Sequence, residues 1–191
     1  MTIDLINQDV GNSVLFYGKE SDTNFVMKQI YEKMKQNDKF LCSWHNAELI
    51  KTPIDFFDPI LKSKYGEEYN SFREEEWFKK GMGELIGRNI DSSKINHQKL
   101  PLIFIEGIEN LFFNMDYYLT ELDRINFNPN DETLKTKYGN FGNTLRKGLF
   151  TPHNGIIYGS VKDKNSKEYN YTLGNYDYLF YVDNFMKFQL E

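Results

Sequence analysis

The sequence predicts an α/β protein, a three-layer sandwich around a mostly parallel five-stranded sheet. Three observations carry this prediction. Five short apolar runs are separated by stretches with helical spacing of their apolar residues. The strongest run, Leu100 to Ile105, is apolar without alternation, as in a central parallel strand covered by helices on both faces. No internal repeat, low-complexity tract or interdomain tether interrupts the 191 residues, so 1–191 reads as one domain with a full hydrophobic core.

Taken in order, Ser13 to Gly18 is a buried strand that runs into the polar turn Lys19 to Asn24. A helix carrying Phe25, Val26, Ile30 and Met34 follows, with Ser21, Asp22 or Thr23 as its cap. Phe40 to Trp44 is the second apolar run. Pro53 to Leu61 suggests a short helix entered through proline, and Ser71-Phe72-Arg73-Glu74 has the spacing of a capping box opening a longer one. Asn89 to Lys99 is a polar linker. After the Leu100 strand, Met115 to Leu122 looks helical, and Asp131 or Thr133 begins a stripe of Leu134, Tyr138, Phe141, Leu145 and Leu149. Gly155 to Ser160, extended by Val161, is the fourth strand, and Met186 to Leu190 alternates as a terminal strand does. Between them, Lys162 to Glu168 reads as an exposed loop or hairpin tip, and Tyr169, Tyr171, Tyr176, Tyr178, Phe180 and Tyr181 form an aromatic cluster.

Composition excludes several function classes. Apolar residues are 40%, aromatic residues 16% and charged residues 27%, which does not fit a disordered chain. With 23 Lys plus Arg against 28 Asp plus Glu, the net charge of −5 does not fit a surface that coats a phosphate backbone. The lone cysteine, Cys42, excludes an internal disulfide and a cysteine-rich zinc site, and its apolar surroundings mark it as core. No signal-like start and no uncharged apolar stretch of about 18 residues occur, so the expectation is a cytoplasmic protein without a membrane span.

The order of these elements resembles the core of the P-loop ATPases of the AAA+ and STAND groups. The strand ending in Gly18, the strand before Glu106, the strand before Ser160 and the last strand carry the resemblance. In that family the first loop reads G-x-x-x-x-G-K-[ST], whose backbone N–H groups, lysine and hydroxyl hold phosphates and magnesium. Counting from Gly18, the last three motif positions fall on Thr23, Asn24 and Phe25, so the lysine is missing from its place. The family's second motif is an apolar strand ending Asp-Glu. Here Glu106 stands in the metal position and Gly107 where the water-activating carboxylate belongs, with Glu109 three residues beyond Glu106. Ser160 is the nearest match to the polar sensor, no arginine follows Arg146, and the family's helical lid has no counterpart.

What the resemblance implies is therefore a degenerate nucleotide site built on Gly18, Lys19, Ser21, Thr23, Glu106 and Ser160. No catalytic residue and no metal ligand set is expected, and no bound cofactor, with ATP and magnesium kept as the alternative. Glu109 is expected as a solvated or capping carboxylate. The Cys42-Ser43-Trp44-His45 run lacks the further ligands or orienting group that a metal or nucleophile pair needs, and His97 and His153 have no companions at metal spacing. The reading is a non-catalytic interaction or regulatory protein with a protein partner. Two rivals stand beside it. One is an atypical ATPase using Lys19 with Glu106 and Glu109; the other is a nucleic-acid accessory factor using Lys162, Lys164, Lys167 and the nearby aromatics.

Overall fold

In a computed structural model, the described residues are 13–52, 100–111, 119–126, 156–170 and 186–190, with 55, 56, 59, 113, 114, 128, 131–133 and 136. The strands are β1 (Val14–Tyr17), β2 (Phe40–Asn46), β3 (Leu100–Glu106), β4 (Ile156–Val161) and β5 (Met186–Gln189). The helices are α1 (Glu20–Lys35), α2 (Glu121–Ile125) and the single turn α3 (Lys167–Tyr169), with 3₁₀ turns at Ala47–Leu49 and Ile108–Asn110. All four strand pairings are parallel, in the order β2-β3-β4-β1-β5. The result is an α/β three-layer sandwich, and its topology is consistent with a P-loop NTPase-like fold. The helix expected over Pro53–Leu61 lies largely outside the described residues. The segment from Ser71 through the linker, the Leu134–Leu149 stripe and the aromatic cluster beyond Tyr169 also lie outside them.

Strand alternation sorts the core into two layers. Val14, Phe16, Phe40, Leu102, Phe104, Ile156 and Tyr158 meet Met27, Ile30 and Met34 of α1 on one face. Leu15, Ile103, Ile105 and Ile157 alternate with them and are buried too, as are Ile108, Leu111, Phe113 and Leu119. Burial on both faces explains why the sequence of β3 and β4 shows continuous rather than alternating hydrophobicity.

One aromatic side chain from each strand forms a row across the α1 face. Trp44 stacks on Phe104 with centroids 5.6 Å apart, and Phe104 on Tyr158 at 5.1 Å. The row continues through Phe16 (6.3 Å from Tyr158) to Phe188 (5.9 Å), with rings tilted by 10–25° along its length. Tyr31 of α1 meets both Trp44 and Phe104 edge-on, at 5.4 and 5.3 Å. Each such pair adds about 0.5–1.5 kcal/mol beyond the burial of its area.

Two helix starts differ from the sequence expectation. α1 begins at Glu20 rather than after the polar turn; Lys19 is its N-cap and makes no side-chain cap hydrogen bond. Ser21, Asp22 and Thr23 therefore sit inside the first turn, where Glu20 and Asp22 bring negative charge to the positive end of the helix. At α2, Leu119 and Thr120 are not helical: Thr120 and Asp123 form a reciprocal capping box that opens the helix at Glu121. Phe104 touches the row on both sides and is fully buried. Phe104→Ala is expected to lower stability by about 3–5 kcal/mol, read as a shifted urea midpoint in a fluorescence-monitored unfolding curve.

Candidate functional site

The carboxyl ends of parallel strands are where α/β folds place ligands. At this edge the link between β1 and α1 is two residues, Gly18 and Lys19. Gly18 has φ 148°, and a Cβ there would lie 2.7 Å from the carbonyl oxygen of Leu190. Leu190 in turn donates its N–H to the Tyr17 carbonyl at 2.7 Å. The glycine is thus required by the close approach of the end of β5 to the end of β1.

The other sequence-selected residues are distributed around this edge. The Thr23 hydroxyl donates to the Glu20 carbonyl at 3.1 Å and is buried, while Ser21 is exposed and bonds Asp22. The N–H groups of Asp22 and Thr23 both donate to the Lys19 carbonyl, which closes the first helical turn. Ser160, buried on β4, accepts the Gly107 N–H at 3.2 Å and donates to Asn24 Oδ1 at 3.4 Å. Asn24, which occupies the phosphate-lysine place by count, is therefore joined to the sensor-like serine. Glu106 accepts the indole N–H of Trp44 at 3.1 Å. The structure brings Ser160 to Asn24 and Gly107, whereas Glu106 is held toward β2.

Gly107 adopts left-handed backbone geometry, φ 60° and ψ 48°. Its missing side chain leaves room for Lys162, whose Cε lies 3.2 Å from where a Cβ would be. The Lys162 ammonium reaches over this glycine to Glu20 at the start of α1 and Glu48 in the first 3₁₀ turn, 2.8 Å from each. Burial would lower its pKa, but the hydrogen bonds and charges of the two glutamates outweigh that and hold it above the ordinary lysine value. Below that bridge, Glu109 accepts the backbone N–H groups of Lys162 at 2.8 Å and Asp163 at 3.1 Å. Its carboxyl is 1% exposed, and burial raises its pKa against the opposing pull of those N–H bonds. Glu109 is thus a capping carboxylate, but a buried one.

A cleft of about 220 Å³ opens beside this network, lined by Tyr17, Gly18, Lys162, Lys164, Asn165 and Gln189 among others. That is below the roughly 300–1,000 Å³ of usual small-molecule pockets. Tyr17, one of its lining residues, also meets Tyr169, with hydroxyls 3.4 Å apart, and burial foremost raises the Tyr17 pKa. Sequence reading placed Lys162 on a solvated loop, or in the rival's nucleic-acid patch, and missed its bridge to Glu20 and Glu48; the signal available was its position directly after a buried strand. Cys42 is partly buried, and its thiol is pushed up to about 11, chiefly by burial.

The five-stranded parallel sheet with its flanking helices is consistent with a generic P-loop NTPase-like, Rossmannoid fold. Among the described residues, no group of three or more His, Cys, Asp or Glu side chains is placed to hold a metal ion. No described helix is long and apolar enough to cross a membrane. No protein-family model matches the chain, and no curated protein matches it.

Substitutions separate the roles of the two glycines. Gly18→Ala drives a Cβ into a backbone oxygen, whereas Gly107→Ala meets the flexible stem of Lys162. Expected losses are about 3 kcal/mol at Gly18 and about 1–2 kcal/mol at Gly107, measured by chemical denaturation. Lys162→Met keeps the stem and removes the charge; because both glutamates are half exposed, it should cost about 1 kcal/mol or less, and added salt should shrink the difference.

Proposed function

We propose that the protein is a non-catalytic, P-loop-like interaction or regulatory protein that engages a protein partner and does not turn over ATP. The observation that carries this reading is the two-residue link between β1 and α1. A phosphate-binding loop needs several consecutive residues whose N–H groups converge on the ligand before the helix begins. Here the counted positions Thr23, Asn24 and Phe25 are already in α1. Thr23 and Asn24 have hydrogen-bond partners within the protein, and the Phe25 side chain is 65% exposed.

The neighbouring polar groups support the same reading. Lys162, the cation nearest the sensor-like serine in sequence, is held by two carboxylates, and Glu109 is committed to two backbone N–H groups. Leu122 and Ile125, one turn apart on α2 and about 70% exposed, offer apolar area to a partner. The resemblance to AAA+ and STAND cores suggests the partner's kind: a working ATPase, or another component of replication, mobile-element or defence machinery in the cytoplasm.

Calorimetric titration with ATP and with a non-hydrolysable analogue, each with magnesium, tests the reading beside a phosphate-release assay. No saturable heat and no phosphate release are expected, and Asn24→Lys, which restores the missing lysine by count, should leave both unchanged. Saturable binding that weakens in Lys19→Ala and Glu106→Ala, with folding retained, would overturn the proposal in favour of an atypical ATPase.

A further inference from the structure

We draw no further inference here: the strongest candidate, the cleft at the carboxyl ends of β1, β4 and β5, belongs to the site already described, and a lining that sets the Lys164 ammonium against the Asp163 carboxylate selects no one chemistry of ligand.

Discussion

The stacked row Trp44, Phe104, Tyr158, Phe16, Phe188 is the constraint on which the rest depends, because it crosses every strand of the sheet. A parallel sheet buried on both faces is weakly pinned by polarity, since a one-residue slip exchanges one apolar face for another. Here a slip of β3 or β4 would turn an aromatic ring away from its neighbours and place Ile103 or Ile105, or Ile157 or Gly159, in the row. Between Phe104 and Tyr158 the rings are paired directly by strand register, as they are between Phe16 and Phe188. The same row fixes α1, because Tyr31 meets Trp44 and Phe104 edge-on while Met27, Ile30 and Met34 fill the surface beside it. Burial pushes the Tyr158 phenol up to about 12.

Placing α1 in this way determines what the carboxyl edge can offer. The helix starts close against β1, and its first turn brings Glu20 to Lys162 and Asn24 to Ser160. A ligand that took Asn24, Ser160 or Lys162 as a partner would have to break the Gly107–Ser160–Asn24 chain or draw Lys162 from two carboxylates. Such exchange recovers little, because each displaced group must then be hydrated or paired again. Electrostatics acts in the same direction at Lys162, since two carboxylates flank its ammonium and a third, Glu109, lies beneath its backbone.

Much of the sheet was legible because hydrophobic runs state strand positions directly. β3 and β4 were found to within a residue or so, and β5 appeared through alternation that survives in its half-exposed pattern. The start of α1 was not legible: three good capping residues lie just inside it, while Lys19 makes no side-chain cap. The acidic residues Glu20 and Asp22, favourable near a helix start, were the available clue. Glu109 and Lys162 were harder. Their meeting joins positions 53 residues apart, and nothing local distinguishes a carboxylate that will cap a distant loop from one that will face water. His45 had the same difficulty, since its burial depends on Phe56 arriving from a later segment.

Gly18 shows how a familiar position can persist while its chemistry changes. In the resemblance, the glycine after the first strand begins a loop that turns its amides toward phosphate. Here the left-handed backbone and absent Cβ serve a contact between two strand ends, Leu190 against Gly18. A side chain there would separate β5 from β1 and remove Phe188 from the aromatic row, so the glycine is needed whether or not a nucleotide ever binds. Glycine at this place is therefore weak support for a phosphate site. For the proposed reading the quantity that counts is the length of chain between the strand and the helix, because two residues are fewer than the four that separate the two glycines of a phosphate-binding loop.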